Sequence, residues 1–309
     1  MDTNKLWIEG LVPAAYTPMD ENGNINFQMI KPIVEHLMNE GVSALYVCGS
    51  TGEGPSLSTE ERMEVAEAYI QATNGRVPII IQVGHNSLRQ AKRLAQHAQE
   101  IGADAISAVP PTYFKIDSLD ILLRCLEEIT SGAPDLPFYY YHIPRLTAVQ
   151  IDAVQFLHLG SQCLPTLNGI KYSNFAMWEF QACVNLDGGR FNMLFGSDEM
   201  LLSGLIVGAH GAVGSTYNFA APLYNRIIAA YKQGDCEEAK RLQGLSVQMV
   251  QVTNKYGSPL SNANSQKAMM KLIGLDCGPM RLPQLALSAE TLELMRKEME
   301  AIGFFEWAR

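Results

Sequence analysis

Lys171 closes the run Asn168-Gly169-Ile170-Lys171 at the end of an apolar stretch, a setting unlike the polar helical surroundings of most lysines in the chain. An amine held away from water loses part of its preference for the charged form and becomes a nucleophile toward ketones. The competing assignment for Lys171 is an ordinary ion pair with Glu53 or Asp198. Tyr141 stands in Phe138-Tyr139-Tyr140-Tyr141-His142-Ile143-Pro144, where Pro144 stops the strand. The period of two puts Tyr139 and Tyr141 on one face and Tyr140 on the other. A phenol beside an imine can shuttle a proton, whereas Tyr139 and Tyr140 are expected in the core. Ser50 and Thr51 lie in the glycine-bracketed turn Gly49-Ser50-Thr51-Gly52-Glu53, where successive amides and two hydroxyls can grip a carboxylate.

Those residues have to be positioned by something. Eight short runs rich in Val, Ile, Tyr and Phe, at 11–18, 44–50, 78–84, 105–110, 138–144, 167–173, 191–197 and 211–216, alternate with amphipathic helical patterns. Their lack of strict polar alternation is that of parallel strands covered on both faces. The spacings Ser58–Glu61, Ser87–Gln90 and Thr147–Gln150 each predict a capping box at a helix start. Leu88, Ala91, Leu94, Ala95, Ala98 and Ile101 form one apolar stripe, and Gly41 and Gly102 stand where left-handed helix ends are wanted. The expected fold is α/β, a (β/α)8 TIM barrel over residues 1–233 with a C-terminal helical extension over 234–309. A doubly wound open sheet is disfavoured because the one Gly-rich turn lacks the lysine and spacing of a phosphate loop.

Composition narrows the partners. The 309 residues are 47% hydrophobic and 18% charged, with a formal net charge of −9, which excludes a phosphate-backbone partner. No nucleic acid and no membrane are expected, since a span needs about 20 consecutive apolar residues. The first ten residues have no cationic start and no apolar core, so no secretory signal is expected there. Six scattered cysteines without a C-x-x-C pair fit reduced thiols and a cytoplasmic location.

In a barrel, chemistry sits at the C-terminal ends of the strands. That rule selects Thr17, Ser50 to Glu53, His85, 110–115, Tyr141, His142, 171–173, 196–199 and Ser215. A zinc site drawing on His85, His142 and His210 with Glu53 and Asp198 is the rival chemistry. It lacks any H-x-H or H-x-x-x-H pair, and His142 should face away from Tyr141. A non-catalytic binding protein on the same fold is a second rival, but it should have lost the amine or the phenol.

Taken together, Gly49-Ser50-Thr51-Gly52-Glu53, Tyr141-His142-Ile143-Pro144, Gly169-Ile170-Lys171 and Gly214-Ser215-Thr216 resemble the dihydrodipicolinate synthase/N-acetylneuraminate lyase family of class I aldolases. The resemblance implies that Lys171 forms the Schiff base, that Tyr141 shuttles the proton, and that Ser50 and Thr51 bind the carboxylate of a 2-keto acid. It also implies that Tyr113, in Pro111-Thr112-Tyr113, acts across a subunit interface of a homotetramer. Gly196-Ser197-Asp198-Glu199 matches the G-x-D-E pattern of the lyase branch, with Asp198 and Glu199 accepting hydrogen bonds from sugar hydroxyls. Ser173, Gly196 and Ser215 fall on further substrate-contact positions of that branch. Where the synthase branch carries an arginine five residues after its tyrosine, this chain has Leu146, with Arg145 one residue before it. The implied reaction is reversible retro-aldol cleavage of a sialic acid to pyruvate and N-acetylmannosamine, with no metal and no cofactor. Another Schiff-base pyruvate aldolase of the family, synthase-like or acting on 2-keto-3-deoxy sugar acids, is the alternative.

Overall fold

The computed structural model of the chain describes residues 6–258 and 262–308. Eight parallel strands form one sheet: β1 (Gly10–Pro13), β2 (Leu45–Val47), β3 (Ile79–Gln82), β4 (Ala105–Ala108), β5 (Phe138–His142), β6 (Leu167–Tyr172), β7 (Asn192–Phe195) and β8 (Gly211–Gly214). Neighbours pair in chain order from β2 to β8, and β8 pairs with β1. The Ala14–Tyr46 bridge and the Ala15 N–H donating to Tyr46 O at 2.9 Å close the ring between β1 and β2. This is the expected (β/α)8 barrel; seven predicted runs each contain one strand, and the first overlaps β1, which starts one residue earlier at Gly10.

Alternation along the strands sorts side chains into two cores. Val12, Tyr46, Ile80, Tyr139, Tyr141 and Leu194 fill the barrel. Tyr140, Ile170, Tyr172 and Phe195 pack outward against the helices, in a larger shell with Phe156 and Phe180. The predicted split between Tyr139/Tyr141 and Tyr140 is therefore observed. The barrel floor is polar but satisfied: Asn168 Nδ2 donates to Tyr139 Oη, which donates to Asn192 Oδ1, each at 2.7 Å.

One irregularity aims the site. In the β5–β6 ladder Phe138 pairs with Leu167 but Tyr139 pairs with Gly169, so Asn168 is an extra residue, a β-bulge. Leu167 faces the outer shell; past the bulge Lys171 pairs with Tyr141 and points into the barrel. A bulge inverts the facing of the residues after it, which is how strands re-aim a functional side chain. Gly169 permits the shift, because a Cβ there would lie 1.9 Å from Asn192 O.

Of the three predicted capping boxes, Ser58–Glu61 forms, with both reciprocal bonds present. The other two do not. Ser87 makes no side-chain cap; its N–H is taken by His85 Nδ1 at 2.9 Å. Thr147 ends the short turn Pro144–Thr147, and the next helix, Ala153–Cys163, is capped by Asp152, which accepts from Gln155 N at 2.9 Å. A carboxylate next to the helix outcompetes a hydroxyl already donating to Ile143 O. Gly41 and Gly102 take the predicted left-handed conformation, with φ of 73° and 79°. After the helix Tyr217–Lys232 the chain continues through the helices Cys236–Tyr256, Ala263–Leu272 and Ala289–Ala301, which lie against the barrel.

Candidate active site

A cavity of about 510 Å³ opens at the C-terminal ends of the strands. A larger hollow of about 730 Å³, between the 19–29 segment and the C-terminal helices, contains neither Lys171 nor Tyr141. The smaller cavity is lined by Ser50, Thr51, Tyr141, Lys171 and Ser173. Gly196, Asp198, Glu199 and Ser215, from the ends of the next two strands, line it as well. Nine of the ten residues singled out from the sequence thus meet in one space although they come from five strand ends. Tyr113 does not join them. It is 76% exposed on the loop after β4, edge-on to the equally bare Phe114 with ring centroids 5.2 Å apart.

Lys171 is 4% exposed, and its Nζ sits 3.9 Å from the ring centroids of both Tyr46 and Tyr141. Desolvation lowers the lysine pKa, an effect offset in part by Tyr141 and Asp198. The ring faces supply some cation stabilisation, yet no carboxylate lies within ion-pair distance of Nζ among the described residues. The ion pairs weighed for Lys171 are not formed: Glu53 is bound to Lys267 instead, at 2.7 Å. Tyr46 was not anticipated. Its place on β2, two residues before Cys48, carries no motif, and only barrel closure puts its ring under the amine.

Asp198 is buried after β7, the strand that pairs with the one carrying Lys171. Its Oδ2 accepts from Thr216 N at 2.8 Å and from Thr216 Oγ1 at 2.6 Å, and Tyr224 O–H stands 2.8 Å behind that hydroxyl. Burial pushes the Asp198 carboxyl up to about 6, with Glu199 adding to the rise and Thr216 opposing it. Gly214 makes room for this carboxylate, since a Cβ there would come within 1.9 Å of Asp198 Oδ1. Thr216, the last residue of Gly214-Ser215-Thr216, holds the Asp198 carboxylate.

The cavity wall also uses residues no strand-end rule could find. Val250 and Asn254 reach it from the helix Cys236–Tyr256, and Gln266 from Ala263–Leu272. Arg145 and Leu146 line it as well. The histidines considered for zinc are dispersed. His142 stacks between Tyr140 and Tyr172 in the outer shell, His210 packs on Trp7, and His85 accepts from Ser87. No group of three potential metal ligands occurs among the described residues.

A closed parallel barrel whose open end holds a shielded lysine amine beside a tyrosine is the layout of a class I aldolase, a carbon–carbon lyase. The chain belongs to the dihydrodipicolinate synthetase family, whose model matches residues 7–302. It is 41% identical over 304 residues to the N-acetylneuraminate lyase of Homo sapiens, covering 97% of this chain and 94% of that one. Against the Rattus norvegicus N-acetylneuraminate lyase the identity is 40% over 304 residues, with the same coverage. Among solved structures, Proteus mirabilis N-acetylneuraminate lyase superposes with a TM-score of 0.92 at 36% identity, covering 97% of this chain and 100% of that chain. The sialic acid aldolase of Aliivibrio salmonicida gives a TM-score of 0.93 at 36% identity, covering 97% and 98%.

Proposed function

We propose that this protein is an N-acetylneuraminate lyase, cleaving the sugar acid to pyruvate and N-acetylmannosamine through an imine on Lys171. The observation that carries the reading is the desolvated amine between the Tyr46 and Tyr141 rings. An amine with a lowered pKa is neutral often enough to add to the C2 ketone of the open-chain substrate. Loss of water leaves an iminium. Tyr141 removes the proton from the C4 hydroxyl, the C3–C4 bond breaks, and its electrons move onto the iminium nitrogen. N-acetylmannosamine leaves as the aldehyde. Tyr141 returns the proton to C3 of the enamine, and water hydrolyses the imine to release pyruvate and the amine. The nitrogen is the electron sink throughout, so the sequence of steps calls on no metal or diffusible cofactor.

Ser50 and Thr51 grip the keto-acid carboxylate in this reading. Asp198 and Glu199, with Ser173, Gly196 and Ser215, take the hydroxyls of the sugar chain. Tyr113, too exposed to serve its own cavity, completes the site of a neighbouring subunit in a homotetramer. No helix among the described residues is long and apolar enough to cross a membrane. The six cysteines are free thiols, which supports a cytoplasmic setting.

Arg145 favours a second reading, because an arginine on the cavity lining suits an aldehyde that bears its own carboxylate. One experiment separates the two. Borohydride reduction in the presence of pyruvate, followed by peptide mass spectrometry, should place the adduct on Lys171, and a release assay should detect N-acetylmannosamine. An adduct on Lys115, or none, overturns the site. An adduct on Lys171 without cleavage of the sugar acid transfers the function to the second reading.

A further inference from the structure

The Asp198–Glu199 turn is supported from outside the barrel. After β7 the chain makes one 3-10 turn, Asp198–Met200, and enters the short helix Leu201–Ile206. Neither start has a side-chain cap of its own, so amides and carbonyls there need other partners. Gln243 supplies them. Its Oε1 accepts from Leu202 N at 2.8 Å, and its Nε2 donates to Asp198 O at 3.3 Å and to Ser246 Oγ at 2.8 Å. A carboxamide has an acceptor and two donors in one plane, so a single side chain ties the start of the turn to the first residues of the helix after it.

Gln243, Ser246, Val250 and Asn254 follow one face of the helix Cys236–Tyr256, at i, i+3, i+7 and i+11. The last two line the cavity. Thr216 of the barrel holds the Asp198 carboxylate, while Gln243 of this helix bonds the backbone of the turn that carries it. The pyruvate half of the cavity, Ser50, Thr51 and Lys171, has no bond to Gln243.

We propose that Gln243 is a positioning residue for substrate recognition: it holds the Asp198–Glu199 turn so that both carboxylates meet the hydroxyls of the sugar chain, while imine formation proceeds without it. This rests on the lyase reading above. Hydroxyls away from the C3–C4 bond gain no charge as that bond breaks, so losing their contacts is expected to raise KM and spare kcat.

The test compares the full-length parent with Gln243→Leu, which removes both arms, and Gln243→Glu, which keeps only the acceptor. For Gln243→Leu the expected result is a KM for N-acetylneuraminate raised roughly tenfold with kcat within about threefold. Half-saturation of the borohydride-trapped adduct by pyruvate should not move, and amides of 198–206 should exchange faster while those of 50–57 do not. Gln243→Glu should fall between parent and Gln243→Leu. An unchanged KM overturns the proposal, as does a parallel rise for sugar acid and pyruvate, the mark of general loosening. Should the parent trap pyruvate yet leave N-acetylneuraminate intact, the functional reading fails. Exchange at 198–206 then decides for Gln243: faster exchange in Gln243→Leu upholds the clasp, and unaltered exchange removes it.

Discussion

Lys267 Nζ lies 2.7 Å from Glu53 Oε1, and both side chains are almost wholly buried, at 1% and 2% exposure. Glu53 itself is in the left-handed region, with φ of 57°, a conformation that costs a side-chain-bearing residue about 1 kcal/mol or more. Its other oxygen accepts from Arg281 N at 2.8 Å, and the Arg281 guanidinium grips Glu61. The turn that presents Ser50 and Thr51 is thus tied down by the C-terminal segment. Lys267→Met strands a buried carboxylate and should destabilise the protein by about 3–5 kcal/mol in urea unfolding. The double variant Glu53→Gln/Lys267→Met should recover a large part of that. A double variant no more stable than Lys267→Met contradicts the pairing.

Lys171→Ala should abolish both turnover and the borohydride-trapped adduct, with the folded state retained because a costly buried amine is removed. Tyr141→Phe should keep the ring against Lys171 and lower cleavage by about 10²- to 10⁴-fold through loss of the proton carrier. Intact-mass measurement with a steady-state assay checks both, and parental turnover in either variant refutes the assigned chemistry.

Asp198 gives a pH signature. Its folded-state pKa is raised by burial to about 6 from a usual 3.8, so the folded state holds the proton more tightly. Its stabilising contribution is full below about pH 4 and is lost as pH rises through 6. At pH 7 the ionised carboxylate costs up to about 3 kcal/mol. Asp198→Asn should therefore raise the melting temperature at pH 7 while weakening sugar-acid binding. In the parent, KM should climb as pH falls from 7 to 5, and the variant should lack that slope. Gly214→Ala, which intrudes on Oδ1, should also raise KM.

His142 acts in the opposite direction. Burial between Tyr140 and Tyr172 lowers its pKa to about 4 from 6.5, so the unfolded chain takes a proton that the folded one refuses. The resulting stability is present above about pH 6.5 and lost as pH falls toward 4, by about 2 kcal/mol between pH 7 and pH 5. His142→Phe should shrink the shift in urea midpoint between those two pH values. An undiminished shift assigns the acid sensitivity elsewhere.

Short-range periodicity and local chemistry were legible in the order of the residues. Eight apolar runs announced the eight strands, and the period of two separated Tyr139 and Tyr141 from Tyr140. Strand-end position gathered Ser50, Thr51, Tyr141, Lys171 and Asp198. Whatever depends on distant partners emerged with the folded chain. The Asn168 bulge is a mismatch with β5, invisible along β6 alone. Glu53 meets Lys267 across 214 residues, and Gln243 meets Leu202 across 41. Two predicted capping boxes failed because nearer partners were in place once the loops had folded. Hydrophobic pattern acts over a few residues, whereas a buried hydrogen bond or ion pair exists only where barrel closure and helix docking bring both groups out of water together.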